Sequence, residues 1–341
     1  MLVAIVALVA GGSFGVSQVP QGLDSSLARI ADDSANHRFV ITVGPTDLPA
    51  HSGHHMVRQY GVQVFRLPRG GWLKGYVVDI VDAGGRVLPR ELIHHVEMIE
   101  FERRALLGPE IQRMVSVGKE TPTSLLPPGI GYPVRRGELV GINAMLDNPT
   151  DSTYRGVYAR VTLPYTAEGG ATRLLDIISI STDVTGNVGR SSDYDVPPGR
   201  SSVSHDFTIP ISGTLLAVGG HLHDFGARLL LVNLTTGDTL YDALPTADSS
   251  GRITDMPMGN LWRTGGYRVG GGQRFRLTAF YDNPTSRTIP QGAMGTLGGA
   301  FKPDAGQVWP ALDPDDPGTR ADLAYLQALG RMHDMGGMKM P

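Results

Sequence analysis

From His37 onward the chain runs in short apolar stretches, many alternating with polar residues, each ended by glycine, proline, asparagine or aspartate. A period of two buries one face of a strand, and the turn residues between the stretches reverse the chain. The pattern predicts strands at 37–43, 61–67, 75–81, 94–102, 139–146, 157–163 and 174–181. Further strands are predicted at 203–208, 215–221, 227–234, 273–281 and 295–301. Strands at this spacing belong to sandwiches or barrels. Residues 23–36 read as a short helix or loop, and residues 302–318 as a linker rich in proline and aspartate. Leu323, Leu326 and Leu329 form a single apolar stripe, which predicts a short helix over 319–331.

One stretch occurs twice. Residues 134–150 read VRRGELVGINAMLDNPT and residues 269–285 read VGGGQRFRLTAFYDNPT, in ungapped register. Each is a turn, an apolar strand and an Asp-Asn-Pro stop. Asn-Pro opens many turns, so two unrelated hairpin exits could also produce the match. Read as a duplication, it predicts an all-β protein of two tandem antiparallel β-sandwiches, over 37–165 and 170–303. The boundary falls near 166–172, and residues 304–341 carry the linker, the helix and a methionine-rich tail.

Composition narrows the classes. The 341 residues suffice for two domains with separate cores. A net charge of −3 with no basic run argues against nucleic acid as a partner. Charged residues are 18% of the chain, against 45 glycines and 24 prolines, a balance that suits turns and strands. With no cysteine, disulfides and thiolate chemistry are excluded. The opening MLVAIVALVAGGSFGV reads as the apolar core of a secretory signal over residues 1–20, cleaved between Gly12 and Gln21. It lacks a basic start, and a buried N-terminal strand or helix is the alternative. The stretch is short for a stable membrane span. The expectation is a secreted or periplasmic protein with no membrane span after cleavage. Asn233-Leu-Thr235 is a glycosylation sequon, meaningful only in a eukaryotic source.

The candidate chemistry is metal chemistry. His221 and His223 lie on a predicted strand, where residues i and i+2 share a face, so both imidazoles can reach one ion. Cupins also pair histidines on a strand, but they follow the pair closely with a glutamate, and residues 224–233 contain none. Met294, between Ala293 and Gly295, precedes a predicted strand; as a third ligand its thioether would select copper, and otherwise it is core. His94 and His95 are adjacent, and neighbours on a regular strand point apart. They can share an ion only if the strand bulges, twists sharply or ends there. His51, His54, His55 and Met56 lie in a polar loop and either bind a metal or, the favoured reading, are solvated. The tail holds Met332, His333, Met335, Met338 and Met340, either a flexible copper-binding segment or a tail with no role.

In order, these motifs are His94-His95, the strand ending in Asp147-Asn148-Pro149, His221-Leu-His223, and Met294 in its glycine-rich context. The order resembles that of the copper type II, ascorbate-dependent monooxygenases, such as peptidylglycine α-hydroxylating monooxygenase and dopamine β-monooxygenase, over roughly residues 55–303. The resemblance implies two jelly-roll-like sandwiches facing each other across a cleft. It implies an oxygen-activating copper on His221, His223 and Met294, and an electron-transfer copper on His94 and His95. The family's third histidine for that second site is missing. Met145 takes its slot, or Asn143 if the alignment shifts by two residues. The family's cysteines are absent. Gly219 stands where the amidating branch has an arginine that holds a peptide carboxylate, and Thr296 and Gly298 replace its asparagine and tyrosine. A peptide ending in glycine is therefore not the expected substrate.

The sequence thus leads to an exported copper monooxygenase-like protein with one or two copper ions, using ascorbate or another reductant on an unknown small molecule or peptide. The alternative is a non-catalytic copper storage or delivery protein on the same scaffold, exchanging metal with a donor or acceptor protein. A third reading, a structural or carbohydrate-binding sandwich, requires that His221, His223 and Met294 do not converge.

Overall fold

The alternating stretches fold as strands with their apolar positions turned inward. On Arg38–Leu48 the buried residues are Phe39, Ile41, Val43 and Leu48; on Tyr154–Ala167 they are Val157, Ala159, Val161, Leu163 and Tyr165. The two strands pair antiparallel, Ile41 opposite Val161 and Phe39 opposite Leu163, so their inward faces coincide. The computed structural model describes residues 19–20, 23–52, 58–121, 123–169 and 174–331. Among them the protein is all-β, with short 3-10 turns and one α-helix, Pro317–Arg331. No helix among the described residues is long and apolar enough to cross a membrane.

Two sandwiches share one topology. The first takes, in chain order, Arg38–Leu48, Arg58–Arg66, Gly75–Val81, Ile93–Arg104, Ile111–Gly118, Ser124–Leu125, Leu139–Leu146 and Tyr154–Ala167. Its sheets run first-eighth-third-sixth and second-seventh-fourth-fifth. The second takes Ile178–Asp183, Gly199–Ile209, Gly213–Leu222, Gly226–Asn233, Thr239–Ala243, Tyr267–Val269, Gln273–Asn283 and Gly295–Pro303. Its sheets follow the same two orders. This is the double Greek key of a jelly roll. Each sandwich has its own core, one built around Phe39, Met98 and Ile142, the other around Phe275, Leu229 and Phe301.

The repeated stretch supplies the seventh strand of both. In each copy a buried asparagine stitches the strand's exit to the segment beside the first strand. Asn148 Nδ2 donates to the carbonyls of Leu48, Pro49 and Ser152, and its Oδ1 accepts from the backbone N–H and hydroxyl of Thr150. Asn283 does the same with Val196, Pro197, Arg287 and Thr285. The Asp-Asn-Pro-Thr match therefore reflects one device used at equivalent places.

One expectation changes. Residues 23–36 are not helical: Ala28–Asp33 is a strand on the edge of the first sandwich, paired with Arg38–Leu48. Leu27, Ala28 and Ile30 pack on the core, and an edge strand needs only this much apolar surface. The C-terminal helix, expected over 319–331, runs Pro317–Arg331 and is packed down. Its Leu326 and Leu329 are buried against Val62, Val64, Ile99 and Phe101 on the outer face of the first sandwich. Arg113 and Asp322 lock the helix down with two hydrogen bonds of 2.5 and 2.7 Å. Trp309 anchors the preceding linker by donating to the Arg104 carbonyl at 2.8 Å. The signal-like stretch and the tail lie outside the described residues.

The first sandwich also buries a carboxyl pair. Glu100 accepts two hydrogen bonds of 2.9 Å from Arg103 Nε and a further one from the Tyr132 hydroxyl. Burial, with the neighbouring Glu100, pushes the Glu138 carboxyl up to about 8. The folded protein holds this proton more tightly than the unfolded chain. The stabilisation from Glu138 is therefore complete below its ordinary value of 4.5 and is lost as pH rises through about 8. The expected result is a Tm that falls over this interval in the wild type and falls less in Glu138→Gln. Superimposable Tm–pH curves would remove this role from Glu138.

Candidate metal centre

The strand Ile93–Arg104 opens with a register shift. Leu146 faces Ile93 while the adjacent Met145 faces His95, so His94 is an extra residue. Such a bulge re-aims side chains, and here it brings the His94 and His95 rings to centroids 4.4 Å apart. The condition under which adjacent histidines can act together is met.

The other pair sits where the strand Gly213–Leu222 runs out. Leu222 turns into the core, leaving His221 and His223 on its other side. Gly220 is required by close packing: a Cβ there would lie 2.3 Å from Leu229 Cδ2. Tyr281, on the repeated strand, pins the backbone at His223. Its hydroxyl accepts from the backbone N–H groups of His223 and Met294, both at 3.0 Å, and donates to the Met294 carbonyl at 2.6 Å. Met294 is thereby held beside His223.

The two pairs meet at the seam between the sandwiches. His95 Nε2 and His221 Nε2 are 3.1 Å apart. Ligand atoms of His94, His95 and His223 all lie within 4.8 Å of one another. The His221 and His223 ring centroids are 5.2 Å apart. Two nitrogens bound to one tetrahedral ion at about 2.0–2.1 Å stand about 3.3 Å apart, so the His95–His221 spacing suits a shared ion. This departs from the expectation of two copper sites facing each other across a cleft. The sandwiches pack with their histidines in contact: His94, His95 and His223 form one group, and His221 reaches it through His95.

A carboxylate orients the His221 ring. Glu120 Oε1 lies 2.6 Å from His221 Nδ1. A carboxylate only accepts, so His221 Nδ1 carries a proton, and Nε2 is the ring nitrogen turned toward His95. Burial opposes ionisation of Glu120, but attraction to His221 and their hydrogen bond outweigh it and hold the carboxyl below its ordinary value. On His223, Nδ1 lies 3.9 Å from Asp193 Oδ1. Histidine with a carboxylate behind it is the usual build of a protein metal site. Glu120→Gln is expected to weaken metal binding about 10- to 100-fold while the fold persists. A chelator-competition titration with a Tm control checks this, and an unchanged affinity would reduce Glu120 to packing.

Around the cluster opens a cavity of about 410 Å³ between the sandwiches, lined by Tyr76, Glu97, Asn143, Met145, Met258 and Met294 among others. Met145 faces His95 across the sheet, on the same side. Asn143, the other candidate for the vacant histidine slot, lines the same wall. His51 is separate, exposed and 3.3 Å from Asp151. His54, His55, Met56 and the tail ligands Met332, His333, Met335, Met338 and Met340 lie outside the described residues. Sequence reasoning missed Glu120 and Asp193, whose contacts with the histidines are set by the fold. It also missed Met258, for which Met256-Pro-Met258 was an available soft-ligand signal.

No protein-family model and no curated protein matches the chain. Among solved structures, the STIV MCP is similar at a TM-score of 0.33 and 10% identity, over 82% of this chain and 99% of that one. A putative secreted protein from Eubacterium rectale gives 0.24 and 9%, over 73% of this chain and 74% of its own. An f-lectin from striped bass serum gives 0.15 and 9%, over 81% and 99%. At these scores the likenesses carry no argument about function.

Proposed function

We propose that this protein is an exported copper-dependent oxidoreductase of monooxygenase type, with His94, His95, His221 and His223 as its metal centre. The observation that carries this reading is the 3.1 Å approach of His95 and His221 from separate sandwiches, beside a cavity large enough for a small molecule. Imidazole nitrogen with thioether sulfur close by is a donor set that suits copper and that zinc seldom takes. Bound copper would supply one-electron redox chemistry and oxygen activation, with electrons from ascorbate or another reductant. The chain's own part is positional. Glu120 fixes the His221 tautomer, Tyr281 holds the backbone of His223 and Met294, and the apposed sheets shield the cluster. C–H hydroxylation of a molecule held in the cavity is the reaction this arrangement suits.

A second reading, copper storage or delivery with a donor or acceptor protein, has one observation in its favour. The helix that leads to the methionine-rich tail lines the cavity through Asp322 and Tyr325.

The test uses the full-length chain with Met332, His333, Met335, Met338 and Met340 replaced, so that only the folded centre is counted. Copper per chain is measured with and without His95→Ala and His221→Ala, followed by ascorbate-driven oxygen uptake. Copper that is lost in both variants, together with copper-dependent uptake, supports the oxidoreductase. Copper without uptake turns the assignment to storage or delivery. A folded chain that binds no copper sinks both.

A further inference from the structure

Met256-Pro257-Met258 forms a short segment laid beside the strand Gly213–Leu222. Gly259 and Val218 exchange both backbone hydrogen bonds, at 2.8 and 2.9 Å, and the Tyr241 hydroxyl donates to the Pro257 carbonyl at 2.5 Å. Extended backbone sends alternate side chains to opposite sides. Met256 is accordingly buried in the core of the second sandwich, and Met258 enters the cavity wall. The position of its sulfur is defined by Gly219: a Cβ on that glycine would lie 2.4 Å from Met258 Sδ. Gly219 is two residues before His221, so the thioether rests on the face from which His221 projects. The separation along the strand is about 7 Å, which a flexible methionine can span toward the imidazole tip.

Of the four methionines that line the cavity, Met114 aside, three lie beside a histidine. Met145 faces His95 across the sheet, Met294 shares the Tyr281 hydroxyl with His223, and Met258 sits over the His221 strand.

We propose that Met258 is a further soft ligand of this centre, and that it biases the site toward Cu(I) over Zn(II). The inference rests on the four histidines being a metal site, as proposed above. Sulfur gains most from a soft monovalent copper ion, whereas zinc satisfied by imidazoles gains little from a thioether. The wall at Gly219 is then a metal-binding surface.

Two variants test this in the full-length chain with the tail ligands replaced. Met258→Leu removes the sulfur. Gly219→Ala keeps the sulfur but displaces it, at small cost because the obstructed atom is the far end of a flexible side chain. Cu(I) and Zn(II) affinities are measured by chelator competition, and copper–sulfur scattering by X-ray absorption. Both variants are expected to weaken Cu(I) at least about tenfold, to change Zn(II) less than about twofold, and to reduce sulfur scattering relative to the parent. Cu(I) affinity unchanged in both variants overturns the proposal, as does an equal loss of Zn(II), which would mark Met258 as structural. A parent chain that binds neither ion defeats the histidine site itself, a result distinct from either.

Discussion

Asp322→Ala should lower the stability of the folded chain by about 3–5 kcal/mol, the usual cost of breaking a buried ion pair from one side. Asp322 is 2% exposed and takes a two-pronged grip on Arg113. Its Oδ2 also accepts from the backbone N–H of Ile111 at 2.9 Å, so the truncation orphans a backbone donor as well as a guanidinium. Denaturant unfolding measures the effect. The double variant Arg113→Met with Asp322→Leu separates pairing from packing: with no charge left buried, it should recover most of the loss. A change below about 1 kcal/mol in Asp322→Ala would mean that the Arg113–Asp322 pair contributes little to holding the helix. For the same reason, a chain ended near Phe301 is a poor substrate for metal counting, since it uncovers Val62, Val64, Ile99 and Phe101.

The second large effect is expected at the two stitching asparagines. Asn148→Ala and Asn283→Ala should each cost about 3–5 kcal/mol, because each removes five hydrogen bonds and leaves backbone carbonyls without their donor. The consequences should differ by location. Asn283 ends the strand that carries Tyr281, so its loss should also weaken metal binding through His223 and Met294. Asn148 follows the strand that carries Met145, which faces His95. Paired denaturation and copper titrations of both variants check this. A small cost in one variant and a large cost in the other would end the equivalence of the two copies.

Most strands were legible because period-two alternation is local. Phe39, Ile41 and Val43 declare an inward face without reference to any partner. Ile111–Gly118 escaped the pattern because its two faces are both covered, one by the core and one at the seam, which erases the alternation. Ala28–Asp33 escaped because an edge strand carries few apolar residues. At the centre, His221 and His223 could be paired from spacing alone. Joining them to His94 and His95 could not, since the His95–His221 contact spans 126 residues and depends on how two finished sandwiches pack. Glu120 reaches His221 across 101 residues by the same route, and no local motif marks it.

On the proposal that the four histidines hold one ion, the seam makes chain connectivity part of the metal centre. Each jelly roll contributes two imidazoles, one pair at the start of a fourth strand and the other where a third strand ends. The copies of the repeat are therefore not two versions of a site but two unlike halves of one. A single jelly roll offers a metal a weak two-point grip. The continuous chain between them makes the second pair's arrival an intramolecular event, raising its effective concentration toward the millimolar range of tethered partners. Tandem linkage is then a determinant of affinity in its own right, and a cut near residue 170 would loosen the metal without altering a single ligand.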